Sequence, residues 1–106
     1  HLKTTQKFLR NGGHVDARNK DTMWTLLHTA CHAGQNRVVE VLVSAGAKLE
    51  SESTTDQLFT PLLIAVFNGK LGLSKCLVAA GANVEARNKQ SYTSLTIAAQ
   101  QGHADI

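Results

Sequence analysis

His28-Thr29-Ala30-Cys31-His32 is the stretch of this chain whose residue types most resemble a reactive site. Two histidines four positions apart share one face of a helix, as in the H-E-x-x-H zinc skeleton, and Cys31 would be a soft ligand beside them. Thr29 stands where that motif places its glutamate base, and no third ligand follows at a suitable spacing, so no metal is expected. Both cysteines, Cys31 and Cys76, lie in apolar runs next to Ala30 and Leu77. An activated thiolate needs an exposed, electropositive setting instead. No G-x-S-x-G elbow or P-loop occurs, and Gly12-Gly13 fits a helix terminus better than a phosphate cradle. Asp16, Glu50 and Glu85 recur at one register position, the mark of a repeated structural role rather than of an acid–base pair. Neither catalysis nor a cofactor is expected.

The pattern with binding potential is aromatic. Trp24, Phe59 and Tyr92 each directly precede a threonine, and the chain holds only one Trp, one Tyr and three Phe. Those threonines open three similar phrases: Thr25-Leu26-Leu27-His28-Thr29-Ala30, Thr60-Pro61-Leu62-Leu63-Ile64-Ala65 and Thr93-Ser94-Leu95-Thr96-Ile97-Ala98. They lie 35 and 33 residues apart. Gly46-Ala47-Lys48-Leu49-Glu50 and Gly81-Ala82-Asn83-Val84-Glu85 keep the same beat, as do the single glycines Gly34, Gly69 and Gly102. A fixed period of this size is the signature of stacked helical repeats, which present an extended surface rather than a pocket.

Within a repeat, Thr60 caps a first helix and Pro61 suits its first position. Leu62, Leu63, Ala65 and Val66 form its apolar face, and Asn68-Gly69 ends it. A second helix over about Leu71 to Ala80 turns Leu73, Cys76, Leu77 and Ala80 inward. Polar, turn-rich stretches follow each second helix and absorb the length differences between repeats.

The pattern T-P-L-x-x-A, glycine, apolar helix, G-A-x-V-x-A resembles the ankyrin repeat across essentially the whole chain. Leu26 and Ser94 depart from its proline, and Leu63 and Thr96 from its histidine. The resemblance implies an all-α repeat solenoid of stacked helix-turn-helix units joined by β-hairpin-like finger loops. Residues 1–18 would form a partial repeat, 19–51 and 52–86 full repeats, and 87–106 a second partial repeat. It further implies that His28 is structural, its ring tying one repeat to the next. Binding in the family uses the finger tips and the concave face of the first helices.

On that scaffold, rings at the Trp24 register would form a row along the fingers with steps of ~10 Å, the packing distance of helices. Phe67 would face the same concavity. Such rings are interface anchors or they stiffen their own fingers, and periodicity leaves both readings open. Arg18-Asn19-Lys20 and Arg87-Asn88-Lys89 make the outer fingers basic. Glu50, Glu52 and Asp56, among Ser51, Ser53, Thr54 and Thr55, make the middle one acidic. That order suits a partner with acidic ends, or else describes ordinary solvated turns.

The expected function is a non-catalytic module that binds another protein, as peptide or folded domain. Trp24, Phe59, Phe67 and Tyr92 would anchor it, with Arg18, Lys20, His32, Arg87, Lys89, Gln100 and Gln101 as the polar rim. The alternative is a regulatory or docking segment of a larger enzyme, ubiquitin-ligase adaptor or channel. A net charge of +3, dispersed along the chain, does not announce nucleic acid. No apolar run reaches the ~20 residues of a membrane span. Buried free thiols fit the cytoplasm or nucleus. Neither end carries a convincing polar cap, which suggests a piece of a longer array, and the apolar end at Ala98-Ala99 suggests end-to-end self-stacking.

Overall fold

Three threonines start three helices, and the reason is local. Thr60 holds an extended backbone while its hydroxyl accepts the amide of Leu63 at 3.3 Å, satisfying one donor that the first turn leaves open. Thr25 and Thr93 do the same for His28 and Thr96. Gly34 and Gly102 close their helices with φ of 72° and 75°, a left-handed conformation that costs glycine little. In the computed structural model, which describes residues 2–52 and 59–102, six helices result. They are α1 (Leu2–Arg10), α2 (Leu26–Ala33), α3 (Asn36–Ser44), α4 (Pro61–Phe67), α5 (Leu71–Ala79) and α6 (Ser94–Gln101). The described residues contain no strand, only an antiparallel bridge between Arg18 and Thr25 in the first finger.

The helices form two layers. α2 packs on α3 and α4 on α5, which makes two hairpins; α2, α4 and α6 then stack in one row and α1, α3 and α5 in another. The molecule measures 41 × 25 × 20 Å, elongated along the stack. Its core comes from matching positions: Leu27 and Leu62 on the first helices, Leu42 and Leu77 on the second, all buried. Fully burying a leucine stabilises the fold by roughly 1.5–3 kcal/mol, so these few side chains outweigh any single polar contact.

Polar contacts set the register between repeats. Asp16 Oδ1 accepts the Lys48 amide at 2.8 Å, and Glu50 Oε2 accepts the Asn83 amide at 2.9 Å. Each carboxylate thus takes a backbone donor from the turn of the following repeat, which is the structural role their recurrence implied. Glu85 occupies the same register, yet its carboxylate has no partner among the described residues. Glu50→Ala is expected to lower stability by about 1 kcal/mol, the worth of one net hydrogen bond, whereas Glu85→Ala should change it by less than about 0.5 kcal/mol. Urea unfolding measures both, and equal costs would contradict the cross-repeat tie.

Candidate binding face

The first finger is built by a repeated tripeptide. Asn19 Oδ1 accepts the amides of Asp21 and Thr22 at 2.7 and 3.2 Å, folding the chain back on itself. Arg18 Nη1 donates to the Met23 carbonyl at 2.6 Å and to the Glu52 carbonyl of the next repeat at 2.9 Å. In the third finger Asn88 Oδ1 takes the amides of Gln90 and Tyr92, and Arg87 Nη1 donates to Ser91 at 2.9 Å. Met23 and Ser91 hold the same left-handed tip conformation, with φ of 61° and 67°. Arg18 and Arg87 therefore shape the fingers, while Lys20 and Lys89 stand exposed at their tips. The acidic stretch of the middle finger at Ser53, Thr54, Thr55 and Asp56 lies outside the described residues, as does the side chain of Gln101.

Each finger ring is half-buried against the core, and two of the three meet rings on their own first helix. Trp24 lies 5.3 Å from the His32 ring, edge to face, and 6.3 Å from His28. Phe59 lies 5.7 Å from Phe67. Tyr92 and Gln100 line one notch of about 250 Å³ together with Phe59, Phe67, Asn88, Gln90 and Ile97. The spacing is constant: residue 24 pairs with 32, 59 with 67, and 92 with 100. Every repeat thus places a finger ring opposite the last turn of its first helix. Phe67 remains 44% exposed there, and His32 and Gln100 are exposed too. Asn88, Gln90 and Ile97 were not among the residues expected at this face. The repeated Arg-Asn-Lys tripeptide was the available signal for Asn88, whereas Ile97 reads from sequence only as a core position.

His28 anchors this arrangement. It is fully buried, and its Nδ1 accepts the Thr25 amide at 3.1 Å and faces the Thr25 hydroxyl at 2.8 Å. An accepting Nδ1 fixes the proton on Nε2, which donates to the Phe59 carbonyl at 3.0 Å. The ring completes the helix cap in place of the usual Glu or Gln, and it pins the next finger. With both ring nitrogens engaged, His28 does not join His32 around an ion. Burial depresses its pKa below the ordinary 6.5, and the nearby Arg18 charge adds to this against the Phe59 and Ser51 carbonyls. Burial pushes the Cys31 thiol up to about 12, which leaves it protonated and unreactive at neutral pH.

A family model for three ankyrin repeats matches residues 1–88. The chain belongs to the ankyrin repeat family. It is 31% identical over all 106 residues to a stretch of the Caenorhabditis elegans transient receptor potential cation channel subfamily A member 1 homolog, covering 8% of that protein. It is 38% identical over 81 residues, 76% of this chain and 3% of the relative, to human ankyrin repeat and KH domain-containing protein 1. A Drosophila melanogaster relative, ankyrin repeat and KH domain-containing protein mask, is 36% identical over 87 residues, 80% of this chain and 2% of that protein. The chain therefore spans a small part of each relative. Ankyrin repeats are in general protein-interaction modules and typically lack enzymatic activity. No helix among the described residues is long and apolar enough to cross a membrane.

His28 generates a pH prediction. Because the folded state resists its protonation, the unfolded chain binds the proton first as pH falls. Stability should hold above pH 6.5 and decline below it, until the depressed folded pKa is passed. His28→Leu, which copies the residue at the Leu63 register, should lower stability by about 2 kcal/mol at neutral pH and flatten that decline. Thermal melts across this range test it; an unchanged slope would remove His28 as its source.

Proposed function

We propose that this ankyrin repeat chain is a non-catalytic binding module that holds a partner peptide or domain across its finger and first-helix face. One observation carries the reading: three pairs, Trp24 with His32, Phe59 with Phe67 and Tyr92 with Gln100, stand at the same register of successive repeats. Rigid rings beside adaptable polar side chains supply contact area at little entropic cost, the composition of interface anchors. The notch between Phe59, Phe67 and Tyr92 suits one apolar side chain of the partner. Lys20 and Lys89 on the outer fingers favour a partner with acidic ends. Arg18 and Arg87 complete the rim while shaping the fingers, and Gln101 belongs to the same proposal.

A second reading makes the module a regulatory or docking segment of a larger protein, and the relatives favour it. One is named as a cation channel subunit and two as proteins carrying a KH domain as well as ankyrin repeats. The two readings share the same face. Location in the cytoplasm or nucleus forms part of the proposal, supported by the free thiols of Cys31 and Cys76.

Peptides selected from a random display library against the immobilised chain provide the test. They are expected to bind the wild type at least about tenfold more tightly than the Trp24→Ala/Tyr92→Ala double variant, a loss typical of removing anchors. Phe67→Ala, at an exposed position, should weaken them as well. Circular dichroism should show unchanged helix content in each variant. Equal affinity for wild type and variants would reject this face.

A further inference from the structure

A buried donor is left over in the notch between Phe59, Phe67 and Tyr92. This notch lies inside the stack, between α4, α6 and the third finger, so the chain itself supplies both of its sides. Its apolar walls are those three rings and Ile97, and Asn88 lines it as well. Asn88 is only 7% exposed. Its Oδ1 takes the amides of Gln90 and Tyr92, which fixes the orientation of the carboxamide and leaves Nδ2 still to be satisfied. That Nδ2 has no partner among the described residues. It is not sealed off either, since Trp24 Nε1 is the one described side-chain atom that is both enclosed and unpartnered. A donor on so buried a side chain costs free energy while it stays unpaired, and the notch is the open space that Asn88 borders.

We propose that the notch receives a tyrosine of the partner, its ring between Phe59, Phe67 and Tyr92 and its oxygen accepting from Asn88 Nδ2. This rests on the binding face proposed above and names the side chain that its notch takes. Elimination leads there. Leucine or phenylalanine would fill the space, yet strip water from Asn88 Nδ2 without replacing the bond. Tryptophan, lysine and arginine bring only further donors. The two cations would also meet no negative charge among the described lining residues, while Arg87 and Lys89 flank Asn88. Aspartate and glutamate bring acceptors, but they would give up water against three rings with no described cation lining the notch. Serine, threonine, asparagine and glutamine carry too little apolar surface to cover those rings. Tyrosine joins a large ring to an oxygen that accepts, and its own O–H can donate to the exposed carboxamide of Gln100 at the rim. Exposed Lys89, next to Asn88, favours an acidic residue beside that tyrosine.

Peptides from the random display selection test this, each titrated against a copy with phenylalanine in place of tyrosine. Peptides that depend on Trp24 and Tyr92 should carry a tyrosine. Their phenylalanine copies should bind at least about tenfold more weakly, because the missing hydroxyl leaves Asn88 unpaired. Asn88→Ser keeps a short side-chain oxygen for the finger turn but removes the Nδ2 donor, and should bring the two copies within about twofold of each other. NMR of the ¹⁵N-labelled wild-type chain reads the same contact without a substitution, should Asn88→Ser loosen the finger. The Asn88 side-chain amide signal should move more with the tyrosine peptide than with its phenylalanine copy. Selected peptides that lack tyrosine, equal affinity of the two copies, or an Asn88 signal that does not tell them apart would overturn the tyrosine site and leave the face standing. Peptides indifferent to the Trp24→Ala/Tyr92→Ala double variant would reject the face itself, and the tyrosine site with it.

Discussion

Burial of leucine between packed helices, within hairpins and between them, is the interaction on which every other feature here depends. Leu27, Leu42, Leu62 and Leu77 are all buried where helices pack within each hairpin and against the next repeat. The energy is non-directional, so it holds the layers together without fixing their relative slide. Polar ties between repeats supply that direction: Asp16 to Lys48, Glu50 to Asn83, Arg18 to Glu52 and His28 to Phe59. Each is individually weak, yet each joins residues about one repeat apart and is satisfied only in the correct register.

The proposed binding face is a consequence of that register. Because His28 fixes the Phe59 carbonyl, it fixes the backbone that carries the Phe59 ring against Phe67. Because Asn88 and Arg87 fold the third finger, Tyr92 comes to the notch it shares with Gln100 and Ile97. Fingers tied by their own hydrogen bonds would present these rings to a partner with little further ordering, lowering the entropic cost of the proposed binding. Chemistry is displaced from the same residues: the buried His28 is used on both nitrogens, and the buried Cys31 thiol is held protonated.

Much of the helical layout was legible in the sequence, because threonine, proline and glycine act through their own backbone geometry. Thr60-Pro61 and the left-handed glycines mark helix ends wherever they stand. The role of Asp16 and Glu50 was legible as recurrence. Direction was not. Periodicity put Trp24, Phe59 and Tyr92 in one register, but it does not reveal that Trp24 meets His32, or that Phe59 meets Phe67, eight residues further along the chain. Arg18 and Arg87 read as solvated charges until their carbonyl partners are seen. Nor does a leucine in the sequence declare its cover: Leu27, Leu62 and Leu95 are equivalent letters in very different surroundings.

That equivalence offers the most direct measurement. Leu62→Ala and Leu95→Ala delete the same atoms at the same register, one from a buried side chain and one from a side chain that is 74% exposed. Urea unfolding of the dilute chain should give a loss of about 2–5 kcal/mol for Leu62→Ala, as for a buried leucine, and less than about 0.5 kcal/mol for Leu95→Ala. Similar losses at the two positions would contradict the claim that burial of these leucines, rather than their place in the repeat, holds this molecule together.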